Sequence, residues 1–368
     1  MNIAVQAADL DASRIDGTRV YLLRLLERFG RMASNDEWHL YHRRVFNPLL
    51  TPPHFPHYHE HRVSAPFFWT QTRFTFEMFR LQPDRVFMPV QSVPFFLPKG
   101  TESVVTIHDL AFRIFPESFP TGDLRKLNWF TSMAVQKATR LIAVSESTKR
   151  DILQFYPGTP EEKIRVIHHG YDAISSKVLP GDKGMLDRFN LRSGAYFLYV
   201  GAIQPRKNLG TILQSFELIA EDIPGSVLAL VGEAAWMSES VLHAVETHPF
   251  CDRIRLLGRA TFDERAVFYR NARAFIFPSL YEGFGLPVLE AFSVGIPSAV
   301  ANNSSLPEVA GDGALLFDAH SPESLSSAMK ILWKDEQKRQ ELIARAYKQL
   351  KKFSWDTCAR ETLEWIRG

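Results

Sequence analysis

Short apolar runs alternate along this chain with longer amphipathic stretches, the pattern that parallel βα units produce. Ile3-Ala-Val5 reads as a first strand, and Thr18 to Phe29 as a helix with Val20, Leu22, Leu23, Leu25 and Leu26 at helical spacing. Ser103-Val-Val-Thr-Ile107 is a strand ending at His108, followed by a helix over 124–137, a strand over 141–144, a helix over 147–155 and a strand over 164–167. Residues 173–194 break the rhythm with Ser175, Ser176, Pro180, Gly181, Gly184 and Gly194, and read as a linker with a lead-in helix. The alternation then resumes, with strands at 196–200, 226–231, 254–257, 274–277 and 298–300. Helices are predicted at 209–220, 238–247 and 287–294 and within 321–350; after a break at Phe353-Ser354, Trp355 to Ile366 forms a last amphipathic helix. The chain thus divides into a domain over 1–172, a linker over 173–194, a domain over 195–352 and a terminal helix over 353–368.

A length of 368 residues suits two domains, and 45% hydrophobic with 23% charged residues is ordinary for a globular protein. No apolar run approaches the roughly 18 residues of a membrane span. The start, Met1-Asn-Ile-Ala-Val-Gln6, lacks a basic region and meets Asp9 and Asp11 at once, unlike a signal peptide. Cys251 and Cys358 fit no metal or redox spacing, and a reducing cytoplasm is expected. The net charge of +2 argues against a nucleic-acid partner. Residues 1–170 are mildly basic, with 21 Lys/Arg against 17 Asp/Glu, and hold nine of the twelve histidines. Such a half suits peripheral contact with anionic headgroups on the cytoplasmic membrane face, or is an ordinary surface; both readings stay open.

The densest chemistry lies in Tyr281-Glu-Gly-Phe-Gly-Leu-Pro-Val-Leu-Glu-Ala291. It follows the apolar run Ala274-Phe-Ile-Phe277, read as a buried strand. Gly283 and Gly285 let a ligand approach the main chain, and Pro287 suits the first turn of a helix. Free amides at that helix start, around Leu286, point at an anion. Glu282 stands in the loop and Glu290 a turn into the helix, where carboxylates accept hydrogen bonds from sugar hydroxyls. A second element, Phe197-Leu-Tyr-Val-Gly-Ala-Ile-Gln-Pro-Arg-Lys-Asn208, ends a strand at Gly201 and precedes a helix with Asn208 as its N-cap. Arg206 and Lys207 then stand at the C-terminal end of a strand, where open α/β sheets bind ligands, with charges suited to a diphosphate.

Weaker candidates surround these. His108 and Asp109 end a strand and point into an interdomain cleft, to meet a sugar hydroxyl and orient an acceptor. Gly17 precedes the first helix, where a phosphate can approach. Asp9-Leu-Asp11 spells a metal-associated D-x-D in the wrong loop. His54, His57, His59 and His61 alternate but complete no tetrahedral set, so a surface strand or loop is the reading there and no metal is expected. Phe67-Phe-Trp69 with Phe74, Phe76 and Phe79 reads first as core, and otherwise as a lipid or glycan groove at a membrane face.

Glu282-x7-Glu290 and Gly201-x3-Pro205-Arg-Lys-Asn208, with His108-Asp109 and Phe353-Ser-Trp355 in support, resemble the family-4 retaining glycosyltransferases over most of the chain. The resemblance implies the GT-B architecture: α/β, two Rossmann-like doubly wound parallel-sheet domains facing a deep cleft, with the C-terminal helix crossing back to the first domain. It implies that Glu282 lies at the donor sugar with Gly283, Phe284 and Gly285, and that Glu290 binds ribose. Arg206 and Lys207, with Gly17 and Leu286, would hold the diphosphate, and the backbone of Gly258-Arg259 the base. His108, Asp109 and Glu282 are the catalytic candidates. Ala202 stands where some relatives carry arginine, which shifts weight onto Arg206 and Lys207. Retention by front-face attack needs no side-chain nucleophile and no cofactor beyond the nucleotide-sugar donor. Thr106-Ile-His-Asp-Leu-Ala-Phe112 looks most like bacterial mannosyltransferases of surface-polysaccharide assembly, so GDP-mannose is the favoured donor and a UDP-sugar the alternative, with a glycan or lipid-linked acceptor. A sugar-nucleotide epimerase or hydrolase and a non-catalytic nucleotide-sugar sensor are the rivals; a dinucleotide dehydrogenase fails for want of G-x-G-x-x-G.

Overall fold

Parallel strands covered on both faces need continuous apolar runs, not alternation, and β1 (Asn2–Gln6) obeys this by burying Ile3, Ala4, Val5 and Gln6 in succession. The computed structural model describes residues 1–65, 67–235 and 237–368. They form two compact units: Met1–Ile114 with Thr121–Gly170 and Phe353–Gly368, and Phe115–Pro120 with Tyr171–Lys352.

In the first unit β1 is followed by α1 (Gly17–Met32), β2 (Glu37–His42), β3 (Tyr58–Arg62), α2 (Thr75–Leu81), β4 (Arg85–Met88) and β5 (Glu102–Ile107). Then come α3 (Ala111–Ile114), α4 (Thr121–Lys137), β6 (Arg140–Ala143), α5 (Glu146–Phe155) and β7 (Ile164–Val166). Among the described residues the strands make one parallel sheet of seven, in the order β3-β2-β1-β4-β5-β6-β7.

The second unit runs α6 (Asp182–Arg188), β8 (Tyr196–Val200), α7 (Leu209–Ile219), β9 (Val227–Val231), α8 (Glu239–Glu246), β10 (Ile254–Gly258), α9 (Phe262–Asn271) and β11 (Ala274–Phe277). It continues with α10 (Leu286–Ser293), β12 (Ser298–Ala301), α11 (Leu306–Ala310), β13 (Ala314–Phe317), α12 (Pro322–Lys334) and α13 (Glu336–Leu350). Its described strands form a parallel sheet of six, β10-β9-β8-β11-β12-β13. Both orders step outward from the first strand and then reverse, which is the doubly wound Rossmann pattern.

α14 (Trp355–Arg367) belongs to the first unit. Ser354 caps it by accepting from the Asp356 amide at 3.1 Å, and Trp355, Cys358, Ala359, Thr362, Leu363 and Ile366 are buried along one stripe. The Trp365 indole donates to the Leu141 carbonyl at 3.1 Å, and the Arg85 and Arg140 guanidiniums reach the last carbonyls of the helix. Gly170 makes the approach possible: a Cβ there would sit 2.0 Å from the Trp355 amide nitrogen. The helix expected to return to the first domain does so.

Two expectations change, and the histidine run keeps its reading as a surface strand. Asn208 sits at the start of α7 in left-handed backbone, φ +59°, and its side chain does not cap the helix. Instead its amide donates to the carbonyls of Ala319 at 2.8 Å and Pro278 at 3.2 Å, tying loops together. The aromatic stretch is split, not wholly core: Trp69 and Phe74 are buried, whereas Phe67 and Phe68 are 76% and 68% exposed and Phe76 and Phe79 about half so. The left-handed backbone at Phe68 (φ +45°) lies where the two exposed rings stand. The histidine run falls partly on β3, an edge strand, where His59 and His61 pair with β2 residues His39 and Tyr41. No helix among the described residues is long and apolar enough to cross a membrane.

Candidate active site

β8 and β11 lie side by side although 73 residues separate Val200 from Ala274, because the second sheet reverses its winding between them. A reversal leaves a crevice outside the C-terminal strand ends, since successive helices pack on opposite faces. The loops that leave those two ends carry the main candidates. After β8, Pro205–Lys207 form one 3₁₀ turn that presents Arg206 and Lys207. After β11, residues 278–285 carry Glu282 into α10.

The loops are laced together. The Leu280 amide donates to the Arg206 carbonyl at 2.9 Å, and the Arg206 guanidinium donates to the Tyr281 carbonyl. Lys207 Nζ donates to Glu282 Oε1, and Arg206 stands 3.5 Å from Oε2. A third loop, after β12, fixes the backbone: Ser304 Oγ accepts from the Glu282 amide at 3.0 Å, and Ser305 Oγ donates to the carbonyls of Glu282 and Phe284 at 2.9 Å each. Gly285, at φ +106°, turns the chain into α10 where a Cβ would lie 2.8 Å from a Leu306 methyl. Pro287 falls in the first turn of α10. Gly283 and Phe284 are buried, and Leu286 is half-buried.

The two glutamates are tuned in opposite directions. Burial pushes Glu282 up, but the Lys207 and Arg206 charges outweigh it and hold the carboxyl below the ordinary glutamate range. Burial raises Glu290, and the Arg265 charge and Tyr269 hydroxyl only partly offset it. Tyr269 donates to Glu290 Oε2 at 2.9 Å, and Arg265 lies 3.5 Å from Oε1. Both partners come from α9, which periodicity missed because four consecutive residues, Ala266 to Tyr269, are buried. The legible signal was the capping box Thr261-x-x-Glu264 at its start. Gly258 and Arg259 stand exposed at the end of edge strand β10. Gly258 has φ +66°, and its carbonyl accepts from the Gly232 amide at 2.9 Å.

In the first unit His108 follows β5 and donates from Nε2 to the Pro89 carbonyl at 2.7 Å. Burial lowers its basicity, with the Pro89 bond opposing, so the imidazole is neutral at pH 7 and Nδ1 carries the lone pair. Its ring packs edge-on against Tyr21 at 5.1 Å and His169 at 5.5 Å. Asp109 accepts from the Ala111 amide at 3.1 Å, at the start of α3. Gly17 is the first residue of α1, and the carboxylate of Asp16, paired with Arg19, already caps that helix start. Asp11 holds the backbone amides of Arg43 and Arg44 at 2.8 Å each. No group of three or more His, Cys, Asp or Glu among the described residues could hold a metal ion.

The model for glycosyl transferases group 1 matches residues 188–349, and that for glycosyltransferase family 4 matches 15–173. The O-antigen chain mannosyltransferase B of Escherichia coli is 32% identical over 275 residues, 73% of this chain and 71% of that one. The serotype-specific mannosyltransferase WbdA of Escherichia coli is 26% identical over 295 residues, 76% of this chain but 34% of WbdA, so the chain spans about a third of that relative. Among solved structures, Anabaena HepE in complex with UDP and glucose superposes over 100% of this chain and 99% of its own with a TM-score of 0.75 at 16% identity, a likeness of fold.

Proposed function

The chain belongs to the group 1 glycosyltransferases, with a family 4 first half, and from that premise we propose that it transfers mannose from GDP-mannose. The acceptor in this reading is a hydroxyl of a glycan or lipid-linked glycan in bacterial surface-polysaccharide assembly, and the transfer retains anomeric configuration. The cation pair Arg206 and Lys207 beside Glu282, at the switch point of the second sheet, carries the proposal. Arg206, Lys207 and the amides at Leu286 take the diphosphate, with Gly17 as a further contact. Glu290, oriented by Tyr269, takes the ribose hydroxyls, and Gly258-Arg259 the base. Glu282, Gly283, Phe284 and Gly285 receive the sugar, while His108 and Asp109 act in transfer. Stabilising the departing diphosphate is the largest task, since preorganised cations cost no reorganisation as charge develops. The mannose assignment draws on the name of the 32% identical relative. A UDP-sugar donor is the second reading, favoured by the fold shared with a UDP-binding neighbour.

The test is a thermal-shift screen of GDP-mannose, UDP-glucose and UDP-N-acetylglucosamine, followed by transfer of labelled sugar in the presence of EDTA. A ligand bound by the folded state alone raises the melting temperature. GDP-mannose should give the largest shift and transfer should survive EDTA. A larger shift with a UDP-sugar overturns the donor, and loss of transfer restored by manganese or magnesium overturns the metal-free site.

We place the working location at the cytoplasmic membrane face. The support is the projecting set Phe67, Phe68, Phe76 and Phe79, with Arg73 and Arg80 lying over the Phe76 ring at 5.6 and 6.0 Å. The protein should co-sediment with vesicles containing phosphatidylglycerol, and Phe67→Ser with Phe68→Ser should weaken this; equal sedimentation of the double variant sinks the placement.

A further inference from the structure

Glu282 already occupies the cations that the proposed reading gives to a diphosphate. Its two oxygens face Lys207 and Arg206, and all three side chains are nearly buried, 12–13% exposed. Lys207 is held there further by its position over the Phe277 ring, 5.7 Å from the centroid. A carboxylate and a diphosphate cannot both keep the same two cations at close range without repelling one another. The backbone of Glu282, by contrast, is fixed at both ends by Ser304 and Ser305. Rotation of the side chain, with its loop held in place, relieves that repulsion.

We infer that Glu282 is an exchangeable counter-ion, which neutralises Lys207 and Arg206 until a diphosphate takes them and is then satisfied by hydroxyls of the sugar on that diphosphate. The inference rests on the nucleotide-sugar reading and adds a consequence to it. A bare nucleoside diphosphate breaks the same ion pairs but offers the displaced carboxylate no donor. A nearly buried carboxylate that has lost both cations and keeps at most the Ser279 hydroxyl is costly. The site therefore prefers the nucleotide sugar to the nucleotide left after transfer. Return of Glu282 to the cations would then help push the product nucleotide out, a step that limits turnover in many well-evolved enzymes.

The test measures calorimetric affinities of GDP, UDP, GDP-mannose and UDP-glucose for the wild-type chain and for Glu282→Gln. The glutamine keeps the shape but no longer competes as an anion. The matching nucleoside diphosphate should bind on the order of tenfold tighter to Glu282→Gln, about the effect of one charge-assisted contact. The matching nucleotide sugar should bind no tighter, because its hydroxyls lose the same carboxylate. Mere removal of negative charge would strengthen both ligands equally, so an unchanged ratio between them overturns the proposal. A diphosphate bound no better than by wild type overturns it as well. Failure of every nucleotide to bind the wild-type chain overturns the nucleotide-sugar reading itself, and the exchange with it. Should Glu282→Gln not fold, Glu282→Asp draws the carboxylate back by one methylene and should shift the same ratio in the same direction; a wild-type ratio there also overturns the exchange.

Discussion

His108 has one ring nitrogen committed and one available. Its Nε2–H is engaged by Pro89, so Nδ1 can accept from a hydroxyl but cannot donate. It lies in a different unit from Arg206, Lys207, Glu282 and Glu290. His108→Ala should therefore keep nucleotide affinity, read by calorimetry, while transfer falls on the order of a hundredfold, the usual contribution of one positioned acid–base group. Near-normal transfer by the variant would reduce His108 to a strand-end residue. A second set of histidines titrates with the fold. His39 Nδ1 lies 3.0 Å from His61 Nε2, and His39 also stacks on His59 at 4.9 Å. Burial and then the charges of His61 and His59 push His39 down to about 4, and burial lowers His61 too. Glu37, which pairs with His59, and Glu77 of α2 face the same ladder and partly oppose the shift. The folded values lie below the ordinary 6.5, so the unfolded chain binds more protons between about 4 and 6.5. That contribution is present above 6.5 and is lost as pH falls toward 4. On the other face of β2 burial lowers His42, but its bond to Asp11 wins and raises it, a smaller opposing trend. The melting temperature should fall from pH 7 to pH 5, and His39→Phe should flatten the slope; an unaltered slope would assign acid sensitivity elsewhere.

At the scale of elements, Gly170 shows how little space one helix can spare. A methyl group there meets the backbone of α14 rather than a movable side chain. Gly170→Ala should lower stability by about 1–3 kcal/mol, the usual cost of overpacking, read as a lower denaturation midpoint; an unchanged midpoint would show that α14 shifts freely. The same scale explains what the sequence disclosed. Strands such as Ala274–Phe277 were legible because burial on both faces demands unbroken apolar residues. β3 was legible only as a surface strand or loop, since Tyr58-His-Glu-His-Arg62 is an edge strand with one buried residue. β2 was missed for its alternating start, Glu-Trp-His-Leu, although it ends buried. At the candidate site, Arg206 and Lys207 were visible in one loop, and Glu282 and Glu290 in a second loop and the helix it leads into. Their pairing was not, because Lys207 meets Glu282 only through the reversal between β8 and β11, a property of sheet order. Tyr269 carried no local mark of its link to Glu290. The core reading holds for Trp69 and Phe74 alone, because composition cannot tell a ring that packs inward from one that faces out, as at Phe67, Phe68, Phe76 and Phe79.

For the whole molecule the governing fact is that one unit is continuous in its main part and the other is interrupted. The chain leaves the first unit after Gly170 and re-enters it at Phe353. Deleting 353–368 removes the ion pairs Arg28–Asp356 at 2.6 Å and Arg367–Asp36 at 2.6 Å together with the buried stripe of α14. The truncated chain should become protease-sensitive within 1–170 while residues 171–352 stay protected. Uniform digestion of both would show that their stabilities are not separable. The interruption also orders events during synthesis. Between Gly170 and Phe353 a ribosome must make the 182 residues of 171–352, which at about 5–20 residues per second occupies roughly 10–40 s. Through that interval the earlier sheet waits with the surface meant for α14 uncovered, and the later-made unit can finish first. A nascent chain of this design offers chaperones a long-lived apolar target near its beginning, and translation speed through its second half sets how long that target lasts.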